Sequence, residues 1–113
     1  MTLPLAVDRI NEILADSPFH KVLRLYAERY DEETGALVIR LPFNEEIERA
    51  PGSGQHHGGV IASLIDIAGD FAVIRELGTG VPTINIRTAY IRPAYTTDLI
   101  AHAKVRRIGR TVS

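Results

Sequence analysis

Hydrophobic and polar positions follow two different periods in the first third of the chain. Residues 6–15 carry apolar side chains at helical spacing, which predicts a short amphipathic helix that ends at Ser17-Pro18. Residues 22–30 and 36–43 instead alternate apolar with polar side chains, as half-buried strands do. The turn-forming residues between these two stretches predict that they pair as a β-hairpin.

The middle of the chain combines a polar loop with an unusually apolar helix. Residues 44–55 are polar and rich in Gly, Pro and Ser, which predicts a loop. Residues 58–77 then read as a helix that is apolar on nearly every side, and Gly78 and Gly80 end it. At ~1.5 Å per residue this helix is roughly 30 Å long, enough to cross a sheet of several strands. We expect it to form the core.

Alternation returns after the helix. Residues 81–93 and residues 98–109 both alternate apolar and polar side chains and predict two strands, and residues 109–113 resemble the opening of another. Close antiparallel connections around one long helix indicate an α+β layer in which a sheet packs on that helix.

Composition narrows the class of protein. The 113 residues fit a single domain over residues 1–113, with 45% hydrophobic and 24% charged side chains. A net charge of -1 argues against sequence-independent binding to nucleic acid. The chain has no cysteine, so thiolate chemistry and disulfides are excluded. Without a signal-like start or an apolar run of about 18 residues, we expect a cytoplasmic protein that does not enter a membrane.

The polar residues of the central helix share one narrow stripe. At ~100° per residue, Gly59, Ser63, Asp66 and Asp70 fall on the same side. This stripe could be the solvated edge of the helix. Aspartate is, however, a weak helix former in mid-helix, and ionising an acid among Ala, Ile and Phe side chains is costly without a partner. Carboxylates in such surroundings are candidate bases or nucleophiles.

The start of the same helix offers a second chemical feature. Gly58 and Gly59 allow close approach to first-turn N–H groups, which have no partner within the helix and lie at the positive end of its dipole. Such a terminus can bind an anion or polarise a carbonyl oxygen. The glycines could equally serve only to lead the loop into the helix.

Two motifs together resemble a known family. HGGVIASLID at residues 57–66, with its acid nine residues after the histidine, and TINIRTAYIRPA at residues 83–94 are similar to the hotdog-fold acyl-CoA thioesterases of the phenylacetate-pathway type. The resemblance covers nearly the whole chain. It implies a long helix wrapped by an antiparallel sheet, hydrolysis of acyl-CoA or aryl-CoA thioesters without a cofactor or metal, and a homodimer or dimer of dimers with shared active sites.

The resemblance also implies roles for individual residues. The backbone N–H of Gly58 or Gly59 would hold the thioester carbonyl. Asp66 from the facing subunit would act as nucleophile or as general base toward water, and the sequence leaves that choice open. Thr83 matches a hydroxyl position that orients the water or the acid, although a threonine can also simply begin a strand.

Further matching positions concern substrate binding. We expect His57 to shape the loop without transferring protons. Relatives often place an Asn or Gln earlier in this loop to contact the thioester, where this chain has Ala50, Pro51 and Gly52, and Gln55 is the nearest amide to that position. Arg92 and Arg110 could meet the phosphates of coenzyme A. Asp70 lies where many relatives have a small residue, and it could be a second acid near the site or an interface contact.

Other functions stay open at this stage. The last two strands of the family should follow residue 113, so we expect a C-terminally truncated hotdog domain with an open sheet edge. A noncatalytic acyl-CoA-binding module is the main alternative, because fold alone does not decide chemistry. A hotdog dehydratase or isomerase is disfavoured, because it would use a different His and Asp arrangement, which the sequence does not contain. Metal binding by His56 and His57 is disfavoured, since adjacent side chains point apart and no third ligand has suitable spacing.

Overall fold

The computed structural model of the protein describes residues 2–113. Three helices, one short 3-10 helix and three strands follow one another along these residues. In chain order they are α1 (Val7–Asp16), α2 (Pro18–Leu23), β1 (Tyr26–Asp31), β2 (Ala36–Leu41), the 3-10 helix (Glu45–Ile47), α3 (Gly58–Leu77) and β3 (Leu99–Lys104).

Helix α1 confirms the amphipathic pattern, and Ile10 and Leu14 on its inner face are buried. Helix α2 differs from the prediction, in which Ser17-Pro18 only stops the first helix. Pro18 instead opens the new helix, where its fixed φ is favourable and its missing N–H costs nothing. Helix α2 ends at Arg24, whose left-handed φ of 61° turns the chain into β1. The first strand therefore begins four residues later than its predicted start.

The three strands form one antiparallel sheet with β2 in the centre. The order is β1-β2-β3, and the hairpin between β1 and β2 is confirmed. Leu37, Ile39 and Leu41 of the central strand are fully buried, because their face packs against α3. In β3 the burial alternates residue by residue, as the pattern predicted.

Helix α3 spans Gly58–Leu77, the predicted bounds, and Gly78 closes it with a left-handed φ of 75°. Most of its apolar side chains enter the core, but Ile65 is 39% exposed, so the helix is not covered on every side. The buried apolar residues of the helix are Val60, Leu64, Ile67, Ala68, Phe71, Ala72 and Ile74.

Two predicted strands are wrong. Residues 81–93 carry no strand in the structure, and neither do residues 109–113. The alternating pattern of the first segment would suit a strand, but its backbone pairs with no other strand among residues 2–113. Its apolar side chains consequently face solvent, with Ile84 75% and Ile91 89% exposed. This segment is not a strand because no neighbouring strand among residues 2–113 pairs with it, and alternation alone does not make a strand.

Candidate active site

The N-terminus of α3 leaves one backbone donor free. His57 is the N-cap, and its Nδ1 accepts the Gly59 N–H over 2.8 Å. The carbonyl of His57 accepts the N–H of Val60. The Gly58 N–H finds no acceptor within residues 2–113, so of the two predicted carbonyl donors it is the one available to a ligand.

The loop before α3 is clamped onto the segment that follows residue 93. The His56 N–H donates to the Ala94 carbonyl over 2.9 Å, and the Thr96 N–H donates to the Gly54 carbonyl. The His56 ring is buried, its Nε2 lies 2.6 Å from the Thr97 carbonyl, and its edge contacts Phe43. These hydrogen bonds fix the conformation of the chain just before α3. They also bring the two sequence motifs together, because residues 54–56 pair with residues 94–96.

Tyr90 joins the second motif to the first glycine. Its hydroxyl donates to the Gly58 carbonyl over 2.9 Å. A Cβ placed on Gly58 would lie 3.5 Å from the Tyr90 ring, which is ordinary van der Waals contact. A Cβ on Gly59 would lie 3.0 Å from His57 Nδ1 and would press on the cap. The space at Gly58 is therefore bounded by Tyr90 without being filled.

Two turns further along α3, two carboxylates share one hydroxyl. Thr83 Oγ1 lies 2.6 Å from Asp66 Oδ1 and 3.3 Å from Asp70 Oδ1. Both acids are half-buried. Burial raises the pKa of Asp70 above its usual 3.8, and the negative charge of Asp66 raises it further, while the Thr83 hydrogen bond opposes the shift. Ser63 does not join this group, since its hydroxyl donates to the Gly59 carbonyl.

The two chemical features lie apart within one chain. Gly58 and Asp66 are eight residues from one another in the same helix, which separates them by ~12 Å along the axis. A reacting carbonyl must be about 3 Å from both its donor and its attacking group. One chain therefore cannot bring its own Gly58 and its own Asp66 to the same small group.

A large groove borders the carboxylate pair. Its volume is about 740 Å³, and it lies between one side of α3, residues 81–86 and the residues after β3. Apolar side chains such as Ile65, Val73 and Ile86 supply much of its wall. Four cationic residues also line it: Lys104, Arg106, Arg107 and Arg110. None of the four forms an ion pair within the described part of the chain.

The predicted site residues thus divide into two groups. His57, Gly58 and Gly59 meet at the helix start, and Gln55 precedes them in a single bridge with Tyr95. Asp66 and Thr83 meet at the groove, to which Arg110 also contributes. Arg92 is exposed and does not line the groove.

Sequence reasoning missed the structural roles of Tyr90 and His56. Tyr90 was part of the recognised motif, but only the fold reveals that its hydroxyl reaches Gly58. His56 was read together with its neighbour, although one histidine is buried and the other exposed. Their adjacency in the sequence could have predicted this difference, because two neighbouring side chains in extended backbone point in opposite directions.

Two further properties bear on ligands. Across residues 2–113, no three His, Cys, Asp or Glu side chains gather as a metal site would require. None of the helices over the same residues has the length and apolar character to cross a bilayer.

A long helix laid on an antiparallel sheet, with its first turn open to a ligand and its middle carrying a hydrogen-bonded acid, defines an α+β protein of the hotdog class. The chain belongs to the thioesterase superfamily, whose family description, "Thioesterase superfamily", matches residues 54–113. The hotdog fold and the superfamily indicated by the two motifs are both confirmed.

Solved structures agree with this assignment. A protein from the thioesterase superfamily superposes with a TM-score of 0.82 at 31% identity, over 92% of this chain and 77% of that chain. Zebra fish thioesterase superfamily member 2 superposes with a TM-score of 0.77 at 25% identity, over 94% of this chain and 79% of that chain.

A curated relative comes from Halobacterium salinarum and bears the name "Putative esterase". It is 42% identical over 87 residues, which are 73% of this chain and 57% of the relative. The chain therefore spans little more than half the length of this relative.

Proposed function

We propose that the protein hydrolyses acyl-CoA or aryl-CoA thioesters to the free acid and coenzyme A. The observation that carries this proposal is the Asp66 carboxylate, held 2.6 Å from the Thr83 hydroxyl beside a groove in a thioesterase superfamily chain. A noncatalytic binding module would need the groove but would have no use for an oriented acid.

The proposed site uses two polar groups of opposite charge, the partly positive N–H of Gly58 and the negative carboxylate of Asp66. The Gly58 N–H, reinforced by the helix dipole, binds the thioester carbonyl oxygen and stabilises the negative charge that develops there. Asp66 either attacks the carbonyl carbon, which expels the CoA thiolate and leaves a mixed anhydride for water to cleave, or removes a proton from the water that attacks this carbon and displaces the thiolate. Thr83 orients this carboxylate. His57, whose Nδ1 already accepts the Gly59 N–H, holds the helix start and transfers no proton.

The two elements come from different subunits in this proposal. The ~12 Å axial separation within one helix keeps them apart in a single chain, so Asp66 of one protomer faces Gly58 of the other. The exposed apolar side chains of residues 84–91 supply a surface on which two protomers can pair. Homodimers or pairs of dimers follow from this arrangement.

Charge supports coenzyme A as the leaving group. Lys104, Arg106, Arg107 and Arg110 bring positive charge to the groove, although the whole chain is close to neutral. Guanidinium groups bind phosphates well because they donate paired hydrogen bonds. Arg92, outside the groove, is a second candidate for this contact, and Gln55 remains a candidate amide contact to the thioester.

A panel of CoA esters tests the proposal by release of the free thiol. Phenylacetyl, hydroxyphenylacetyl, short-chain and medium-chain esters cover the range that includes the phenylacetate-pathway type. The absence of cysteine from the chain leaves the thiol assay free of protein background. We expect turnover of at least one ester, and we expect Asp66→Asn to lower kcat by at least about 100-fold with the fold retained.

An exposed acid provides the matched control. Asp16 makes no hydrogen bond or ion pair within the described residues, so Asp16→Asn should leave turnover unchanged. Binding of CoA esters without any hydrolysis would favour the noncatalytic module. Full activity in Asp66→Asn would remove this carboxylate from the mechanism.

A further inference from the structure

One hydroxyl lies between two carboxylates on the groove side of α3. Asp66 and Asp70 are separated by one helical turn, and Thr83 Oγ1 is within hydrogen-bond distance of an oxygen of each. The contact with Asp66 is short at 2.6 Å, and the contact with Asp70 is longer at 3.3 Å. A threonine hydroxyl has a single proton, so it can donate to only one of the two acids at a time.

The protonation state of Asp70 decides how this proton is used. When Asp70 is a neutral acid, its own O–H can donate to Thr83 Oγ1, and the Thr83 proton stays on the short bond to Asp66. When Asp70 is ionised, both carboxylates only accept, and they compete for the Thr83 proton. Ionisation of Asp70 therefore weakens the hydrogen bond from Thr83 to Asp66 and places a second negative charge beside Asp66.

The surroundings of Asp70 favour the neutral acid at mildly acidic pH. Burial raises its pKa, the charge of Asp66 raises it as well, and Thr83 together with nearby His20 opposes the shift. His20 lies on α2, and its ring packs edge-on against Phe71, next to Asp70 in the sequence. Asp66, Thr83 and His20 are thus the groups that act on this carboxyl.

We infer that Asp70 is a positioning residue, whose proton determines through Thr83 how strongly Asp66 is hydrogen-bonded and therefore how basic its oriented carboxylate is. This role rests on the proposed function, because it concerns how the same carboxylate is activated. A carboxylate whose hydrogen bond weakens and that gains a negative neighbour is a stronger base and a stronger nucleophile. Turnover should therefore rise as Asp70 loses its proton.

Titration of Asp66 and Asp70 in the absence of substrate tests whether the two acids compete for the Thr83 proton. Carbon-13 NMR of the aspartate carboxyl groups, assigned with Asp66→Asn and Asp70→Asn, follows each acid from about pH 3 to pH 8. We expect Asp70 to titrate above its usual 3.8. In Thr83→Val its midpoint should move higher still, because the Thr83 hydrogen bond stabilises the charged form.

Thr88→Val is the matched control for this measurement. Thr88 belongs to the same segment, and its buried hydroxyl has no hydrogen-bond partner in the described structure. Its loss should therefore leave the Asp70 midpoint where it is. An identical Asp70 midpoint in the wild type and in Thr83→Val would overturn the inference, whatever the enzyme hydrolyses.

The pH dependence of kcat tests the consequence for catalysis. In the wild type we expect an ascending inflection of kcat that coincides with the Asp70 midpoint from NMR. Asp70→Asn should lack this inflection and should reach a plateau about tenfold below the wild type, with KM unchanged. A purely structural residue would instead change the plateau without removing an inflection.

A double-mutant cycle identifies the route through the hydroxyl. If Thr83 transmits the effect, Asp70→Asn should lower kcat much less in a Thr83→Val background than in the wild type. Equal losses in both backgrounds would contradict the inference. If the wild type hydrolyses no CoA ester, the proposed function fails, and the NMR titration still decides whether Asp70 and Asp66 share the proton.

Discussion

The hydroxyl of Tyr90 donates to the carbonyl of Gly58 over 2.9 Å, and the edge of its ring bounds the space above the glycine. The bond connects the second sequence motif to the first turn of α3. It fixes the peptide next to the free Gly58 N–H, so it should affect catalysis more than stability.

Tyr90→Phe tests this relationship. We expect a stability loss near the lower end of the usual 0.5–1.5 kcal/mol for a hydrogen bond, since Tyr90 is exposed, and a several-fold fall in kcat. Thermal unfolding and thiol release measure the two effects. Tyr95→Phe is the control, because Tyr95 is similarly exposed and its hydroxyl makes no hydrogen bond in residues 2–113. Equal kcat values in the two variants would deny Tyr90 a part in positioning Gly58.

Gly58→Ala separates crowding of the substrate from damage to the fold. The new methyl group meets only the Tyr90 ring, at 3.5 Å, so we expect the protein to fold. It would lie next to the free N–H, and we expect kcat to fall about tenfold while KM changes little. Gly80→Ala serves as control, since a Cβ there meets nothing within 4 Å. Equal effects on kcat and KM would make Gly58 a structural residue only.

Asp70→Asn should stabilise the protein at neutral pH. The folded state raises the pKa of Asp70 above 3.8, so the stabilising contribution of its proton is complete below that pH. The contribution is lost as the pH rises through the raised pKa, and the buried charge is then unfavourable. The variant should therefore melt above the wild type at pH 7 and close to it near pH 3.5. A lower melting temperature at pH 7 would contradict this sign.

Asp98 should show the opposite dependence. It accepts the Phe43 N–H over 3.1 Å and pairs with Arg40 at 3.1 Å, and the Phe43 bond followed by Arg40 lowers its pKa below 3.8. Its contribution is present above 3.8 and disappears as the pH falls through the lowered pKa. Asp98→Asn should accordingly melt below the wild type at pH 7, with the difference shrinking in acid.

Local chemistry determined most of the predicted elements. The β1–β2 hairpin and α3 were predictable because turn residues and Gly78 mark their ends. Helix α2 was not, since Pro18 can either stop one helix or begin another, and only the contacts of Leu23 with the core favour the second outcome. Residues 81–93 show the opposite error, a predicted strand that does not form. Alternation of apolar and polar residues indicates a strand, but it does not show whether another strand is there to pair with it.

The candidate site was predictable in its residues and not in its contacts. Asp66 was identified as an acid that a mid-helix position does not favour, and Thr83 only through a family motif. The motif does not reveal that the Thr83 hydroxyl also reaches Asp70, because that depends on where the chain returns after Gly78. The buried His56 clamp likewise depends on the packing of residues 94–97 against the loop.

Complementation between two inactive variants tests the shared site most directly. Asp66→Asn and Gly58→Val are unfolded and refolded together, and mass spectrometry of the native complexes confirms mixed dimers. In a mixed dimer, one site combines an intact Gly58 from one protomer with an intact Asp66 from the other. A random mixture should therefore recover about one quarter of the wild-type activity, while each variant alone stays well below that level. Mixed dimers without any recovery, or an active monomer, would contradict a site built from two chains.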